Sequence, residues 1–447
     1  MRAPAAGPGW DRPSAGRLRL AKQRACAQVD TLADELVAVS HRLHADPELG
    51  YQERRAAALL ADRLERGGLA VERHAYGLPT AVAGRAGAGG GPLVVLCCEY
   101  DALPGMGHAC GHNVIAAAGL GAGLALARLA RPLGGRVTVL GTPAEEGGGG
   151  KIRLGDRGAF DGAAAAMLVH PSSYEIVLPH INAVRMLEAT MIGRAAHASM
   201  YPERGVDALD ALVLGYLGLA ALRQHLVPTD KVHGIITEGG VVPNVVPAKA
   251  VGRFMIRSAD QRGLDALGRR VLACLSAGAE AAGARLAVRE AGPSYREMRH
   301  NLPLAGAFEA NLRTLGRRPL APGQVPPSRA GSTDMGNVSQ LVAAIHPKLA
   351  ICPPEVVPHS PAFVAWAAGP AADRAVVDGA KALAMTALDV WLRPALRAAM
   401  LAAFAVPAPA GVSHPARRGH RPPAAPAGRP DGAGHATRPG AAAARGR

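Results

Sequence analysis

Four short stretches of this 447-residue chain carry side chains that could do chemistry together. The first, Gly107-His108-Ala109-Cys110-Gly111-His112-Asn113, sets a thiol and an imidazole two residues apart on a glycine-flexed loop before an apolar run. Both can turn toward one point, and a soft and a borderline donor suit Zn²⁺ or a similar ion. Taken alone, a buried cysteine and a helix-capping histidine account for the pair equally well. The second, Gly141-Thr142-Pro143-Ala144-Glu145-Glu146-Gly147, follows a short apolar run. Adjacent carboxylates repel one another if buried without a cation. A metal resolves the conflict for one and leaves the other as proton acceptor for a water that the metal activates. A solvated acidic turn is the alternative. The third, Met167-Leu168-Val169-His170-Pro171, ends an apolar run in a histidine, and the fourth, Pro358-His359-Ser360-Pro361, frames one between prolines. Each is weak alone, but all four lie at loop positions after strands, where open α/β sheets put their ligands.

Those loops need a scaffold. Residues 93–98 read as a buried strand, with residues 137–141 and 164–170 as partners and a helix after His112 between them. Residues 29–43 show helical apolar spacing through Leu32, Leu36, Val39 and Leu43, and a second helical stretch covers residues 53–67. Strand and helix alternate, so the expected class is α/β, a sheet covered on both faces. Residues 184–290 read differently: strands over 183–192, 232–237 and 250–256 with helices over 205–225 and 260–282 make a separate α+β unit. The expected division is a main domain in two parts, 26–183 and 295–404, around an insertion at 184–294. The Gly-rich stretch 84–91 precedes a strand rather than opening a helix, so it reads as a hairpin turn and not a phosphate loop.

The formal charge of +15 resembles that of a nucleic-acid binder, but its distribution argues otherwise. Residues 1–25 and 407–447 together account for 11 of the net 15 charges. Both ends are rich in Pro, Gly, Ala and Arg, and disordered tails are expected over 1–25 and 405–447. Aromatic residues that would stack on bases make up only 3 % of the chain, so no specific nucleic-acid partner is expected. Six cysteines in so long a chain have no disulfide-scaffold density, and the first 25 residues lack an apolar core for export, which makes the cytoplasm the expected compartment. The apolar run 114–127 is shorter than a membrane span and reads as a buried helix, with no membrane partner.

The string Glu99-Tyr100-Asp101-Ala102-Leu103-Pro104-Gly105, the His-Ala-Cys-Gly-His-Asn loop after it, and Thr333-Asp334-Met335-Gly336-Asn337-Val338-Ser339 are long and specific. They resemble peptidase family M20, in the amidohydrolase branch that holds β-alanyl-lysine type dipeptidases and aminobenzoyl-glutamate hydrolases. The likeness covers residues 29–400. It implies a metallopeptidase catalytic domain, with a mixed sheet between helices, and an inserted α+β dimerisation or lid domain. It implies two divalent metal ions per subunit, Zn²⁺ first and Mn²⁺ or Co²⁺ as alternatives, held by Cys110, His112, Glu146, His170 and His359. Glu145 becomes the general base, and Asp101 supports the loop from behind, since Glu99 stands where many relatives carry a ligand-type histidine. Asn113 replaces the commoner aspartate of the amidohydrolases, as it does in the dipeptidase-like branch. Within Gly193-Arg194-Ala195-Ala196-His197-Ala198, the resemblance makes His197 an oxyanion donor to the neighbouring subunit of a homodimer, and Asn244 a substrate-binding residue. Arg257 is a candidate for the substrate carboxylate, which a guanidinium grips bidentately, with a surface or sheet-edge role as the alternative. The implied reaction is hydrolysis of an amide or peptide bond next to a free carboxylate. A dipeptide with a basic C-terminal residue is the first choice of substrate and an N-acyl or aminobenzoyl amino acid the second. A non-catalytic binding protein on the same fold is the rival, although no ligand and no base is missing. Neither a Gly-x-Ser-x-Gly elbow nor a His-Glu-x-x-His helix occurs.

Overall fold

The computed structural model describes residues 15–406 apart from Ala88. The tail expected over 405–447 therefore falls, beyond Val406, outside the described residues, as do residues 1–14.

Alternation along one strand decides the layering. In Leu93–Glu99, Val94, Leu96 and Cys98 enter one hydrophobic cluster while Val95 and Cys97 enter another. A strand with no polar face must be covered by helices on both sides. The first strands are β1 (Ala70–Arg73), β2 (Val82–Gly87), β3 (Leu93–Glu99), β4 (Arg136–Thr142) and β5 (Ala163–Met167), followed by a short β6 (His170–Ser172). An inserted set comprises β7 (Ala183–Ile192), β8 (Lys231–Glu238), β9 (Lys249–Ser258) and β10 (Arg285–Glu290), and the chain returns through β11 (Ala344–Ile345) and β12 (Lys348–Ala350). The main sheet has the order β1-β2-β4-β3-β5-β11. Its β4-β3-β5-β11 portion is parallel, and β2 and β1 add antiparallel at one edge.

Two expectations about strands change. The Gly-rich stretch is no hairpin turn, because β4 lies between β2 and β3 and pairs with both. Its glycines allow close backbone approach instead: a Cβ on Gly91 would stand 1.9 Å from the Gly134 carbonyl oxygen. The strand expected over 164–170 is two strands, since β6 leaves the sheet and pairs in parallel with β12. That break carries His170 out to the sheet's end.

Helices α1 (Ala15–Ala45), α2 (Arg54–Arg66), α3 (His112–Leu133) and α4 (Gly150–Gly155) accompany the first strands. Among the described residues α3 alone has the length and apolarity of a membrane span, yet it is the central buried helix, packed against the sheet and α1. Helix α1 starts well before the expected end of the basic tail, so residues 15–25 are not tail. Ala21 and Ala25 are buried, and the Lys22 ammonium lies 2.6 Å from Asp389 and 2.7 Å from Asn311.

The insertion has its own sheet, β10-β7-β9-β8, antiparallel throughout. Helices α5 (Ala208–Arg223) and α6 (Gln261–Ala281) pack on it through Leu212, Leu219, Phe254, Val271 and Leu275. Asp207 and Asp260 cap these helices by accepting from Leu209 N and Gly263 N. The charged β10 was not expected from sequence. The chain then returns through α7 (Leu302–Thr314), α8 (Met335–Leu341), α9 (Pro361–Trp366) and α10 (Pro370–Leu392), the last packing on α1 and α3.

Asp389 is buried and its carboxylate also accepts from Asn311 Nδ2 at 2.8 Å. Asp389→Ala strands the Lys22 ammonium, so we expect a loss of about 3 kcal/mol in unfolding free energy, read from urea denaturation at neutral pH.

Candidate metal centre

The sheet delivers its functional side chains from the C-terminal ends of its strands. The loop after β3 ends in Cys110 and His112, the loop after β4 holds Glu145 and Glu146, β6 begins at His170, and His359 sits just before α9. Cys110, His112 and His170 offer donor atoms within 4.8 Å of one another, as do Cys110, Glu146 and His359, and His112, Glu145 and Glu146. Cys110 Sγ stands 3.4 Å from His170 Nε2, and His359 Nε2 stands 3.4 Å from Glu146 Oε1. The structure thus gathers the five expected ligands and the expected base into one cluster.

Tight backbone turns make this convergence possible. Gly111, with φ of +76°, brings the Cys110–His112 loop so close to the next ligand strand that a Cβ would meet Pro171 Cγ at 2.5 Å. Ala144 and His359 also adopt positive φ, 55° and 63°, which costs a non-glycine residue roughly 1–3 kcal/mol. Their surroundings hold them there: Ala144 N donates to the Glu53 carboxylate and His359 N to the Ala109 carbonyl. Tyr295 donates its hydroxyl to the Glu145 carbonyl at 2.6 Å and accepts from Gly149 N.

Asp101 lies behind the ligands. One carboxylate oxygen pairs with His112 Nδ1 at 3.0 Å and the other accepts from Glu146 N at 2.9 Å. With Nδ1 engaged, His112 turns Nε2 into the cluster. That nitrogen is buried without a hydrogen-bond partner among the described residues. Burial, reinforced by Glu146, pushes the Glu145 carboxyl well above its ordinary range. Burial raises Glu146 too, but the hydrogen bond and charge of His359 and the charge of His112 hold it below. The Cys110 thiol is raised, first by burial and then by the two glutamates. A divalent cation relieves all of these at once, because it pairs the carboxylates and strips the thiol proton. Three imidazoles, a thiol and a carboxylate are a donor set that fits such ions.

Sequence reasoning missed one part of the cluster. The buried Lys151 ammonium stands 2.6 Å from both Glu99 and Asp334. Glu99 is therefore tied to α4 through an ion pair, with its other oxygen 3.5 Å from His112 Nε2. A lysine following four glycines at 147–150 was the available signal, but its partner Asp334 lies 183 residues away.

The cluster opens into a cavity of about 570 Å³ that Arg257 and Lys348 also line. Arg257 sits on β9, an interior strand of the insertion, and donates to Ser332 Oγ at 2.8 Å, so neither a surface nor a sheet-edge role describes it. The single chain does not bring His197 or Asn244 to this cavity. Both are exposed on adjoining turns of the insertion, where Ala198 N donates to the Asn244 carbonyl. A larger groove of about 1430 Å³ elsewhere contains none of the cluster residues.

Residues 96–386 match the model of peptidase family M20/M25/M40. The chain is 40 % identical over 411 residues to Xaa-Arg dipeptidase of Mus musculus, covering 87 % of this chain and 95 % of that one. The chain belongs to peptidase family M20. It is also 34 % identical over 234 residues to one of the polypeptides of p-aminobenzoyl-glutamate hydrolase from Escherichia coli, covering 47 % of this chain and 48 % of the relative. A solved Bacillus subtilis structure, described as a dinuclear metal binding peptidase from the M20 family, shares the fold with a TM-score of 0.63. It is 19 % identical, over 81 % of this chain and 99 % of that one. As an M20 peptidase the protein is a hydrolase of peptide or amide bonds, and the stretch matched to M20 runs from β3 into α10 and contains all five candidate ligands.

Asp101→Asn keeps the volume but weakens the grip on His112. We expect a 10–100-fold loss of metal affinity, measured by competition with a chromophoric chelator.

Proposed function

We propose that this M20 enzyme is a metal-dependent dipeptidase or amidohydrolase that cleaves an amide bond next to a free carboxylate. Its first proposed substrate is a small dipeptide with a basic C-terminal residue, following the name of its 40 % identical relative. An N-acyl or aminobenzoyl amino acid is the second, following the name of the Escherichia coli relative. The observation that carries the reaction is the convergence of five donors and Glu145 on a cavity that also holds Arg257.

Cys110, His112, Glu146, His170 and His359 would hold two divalent ions, zinc by donor chemistry with manganese or cobalt as alternatives. When bound, the ions supply Lewis acidity, which makes a water nucleophilic near neutral pH and polarises the scissile carbonyl. Arg257 grips the substrate carboxylate through two parallel N–H groups and so places the amide beside the cluster. Glu145, whose burial favours proton uptake, takes the proton of the attacking water and hands it to the leaving nitrogen. A reducing compartment such as the cytoplasm keeps the Cys110 thiol available.

The reading includes a homodimer in which His197 donates a hydrogen bond to the oxyanion in its partner's cavity. Its support is the surface of the insertion. Strand β8 is a sheet edge that exposes Ile235 and Ile236, and α5 alongside exposes Leu214 and Leu217. An apolar open edge is a template for pairing with a second copy.

In the metal-loaded protein, Glu145→Gln keeps metal and peptide binding while kcat falls ~10²–10⁴-fold, by steady-state assay on a dipeptide and N-acyl amino acid panel with and without added metal. Near-normal turnover in this variant removes Glu145 from its role. Glu145→Gln and His197→Ala protomers, each inactive alone, are expected to regain activity when mixed and refolded together. No recovery from a verified mixed dimer sinks the trans arrangement.

A further inference from the structure

His197 stands on two loops of the insertion that are laced to one another. It forms an antiparallel bridge with Val245, Val246 N donates to the Ala196 carbonyl at 3.0 Å, and Ala198 N donates to the Asn244 carbonyl at 3.0 Å. Tyr201 N then returns to the His197 carbonyl at 3.0 Å and closes a single turn over residues 197–201. Inside that turn the chain donates to its own imidazole. Met200 N reaches His197 Nδ1 at 3.2 Å and Ser199 N reaches it at 3.3 Å, with the Ser199 hydroxyl also 3.3 Å away.

A backbone N–H can only donate, so Nδ1 must offer its lone pair. A proton on Nδ1 would face two other N–H groups and forfeit both bonds. The ring's proton therefore resides on Nε2. The Ser199 hydroxyl, which can serve either way, then donates as well. Three donors sharing one lone pair make each bond long, but their agreement fixes both the tautomer and the angle of the ring. Among the described residues nothing bonds to Nε2, and the side chain is exposed, so that N–H is left to donate outward. Its neighbours are exposed and apolar: Met200 by 62 %, and Val245 across the bridge by 41 %. A surface that covers them removes water from the same spot, where a hydrogen bond gains strength from the lower polarity.

We propose that the 197–201 turn is a tautomer lock, which makes His197 a permanent Nε2–H donor and Ser199 a positioning residue that orients it. The atom that His197 meets in its partner's cavity must then be an acceptor, a carbonyl, carboxylate or tetrahedral oxygen, and not an ammonium or an amide N–H. The proton stays on Nε2 throughout, which leaves Glu145 as the group that moves protons. A preset donor costs no reorganisation as the oxyanion forms, and so favours that state over the flat amide. The lock follows from this chain's own geometry; its use in turnover rests on the hydrolase reading and the trans arrangement above.

Full-length, metal-loaded protein with isotope-labelled histidine nitrogens reports the tautomer by two-bond nitrogen–proton correlation at mildly alkaline pH. The His197 signals are those that vanish in His197→Gln. We expect one ring form, with the proton on Nε2. A proton on Nδ1, or rapid averaging over both nitrogens, overturns the lock. Ser199→Ala removes one of the three donors and should give partial averaging with a kcat lower by about threefold to tenfold, the worth of one hydrogen bond, at little change in KM. Ser199→Thr should restore both, and an alanine variant that matches the wild type in both readouts overturns the role of Ser199. Two replacements of the ring separate the lock from its use. A glutamine amide can set a donor near the place of Nε2, whereas asparagine keeps an acceptor near the place of Nδ1 and loses the outward donor. We expect kcat to fall about tenfold in His197→Gln and ~10²–10³-fold in His197→Asn. Near-normal turnover in both, with the Nε2–H form intact in the wild type, leaves the lock in place and removes the trans arrangement.

Discussion

Asp101 holds both halves of the centre with one carboxylate. Its two oxygens reach a ring nitrogen from the loop after β3 and a backbone N–H from the loop after β4, so the histidine and the glutamate pair cannot drift independently. Turns that put alanine and histidine into glycine's territory bring the loops together, and the bonds of Glu53 and Tyr295 hold them there. Behind Asp101 a second buried set, Glu99, Lys151 and Asp334, ties the end of β3 to α4 and to the residue before α8. Charges buried so deeply tolerate no vacant partner, since removing one leaves its neighbours uncompensated in a medium of low polarity. The position of Glu145 is thus set from behind by this network and directly by Tyr295, whose hydroxyl donates to its carbonyl.

How much of this was legible in the sequence depended on range. Residues 93–98 showed their burial on both faces through composition alone, and residues 29–43 showed their helical apolar spacing. The ligands could be named because each ends or follows a recognisable strand, and because the Glu99–Gly105 and Thr333–Ser339 strings resemble a family. What could not be read came from pairings between residues far apart in the chain. Nothing in residues 15–25 announces that Lys22 meets Asp389, and without that contact the stretch looks like more basic tail. The separation of β2 from β3 by β4 was hidden for the same reason: glycines that permit backbone contact with Gly134 look in sequence like glycines that turn a hairpin.

Charge is divided unevenly over the molecule. The cavity floor gathers carboxylates that only a cation can reconcile, while Arg257 and Lys348 bring positive charge to its walls. Such a site selects its ligand by sign before it selects by shape. The insertion contributes Arg257 to that selection and, on its far side, presents an apolar strand edge to solvent. One small antiparallel sheet therefore serves the cavity and an open surface together.

The pairing of β6 with β12 places His170 and Lys348 side by side on a two-stranded ribbon that stands apart from the main sheet. Lys348 is bridged on its other side by Ile176, each backbone N–H donating to the other's carbonyl, so its place beside His170 is fixed from two sides. A replacement at position 348 that disturbs this pairing therefore displaces the candidate ligand His170 as well, so the metal centre depends on a strand that lies after the insertion.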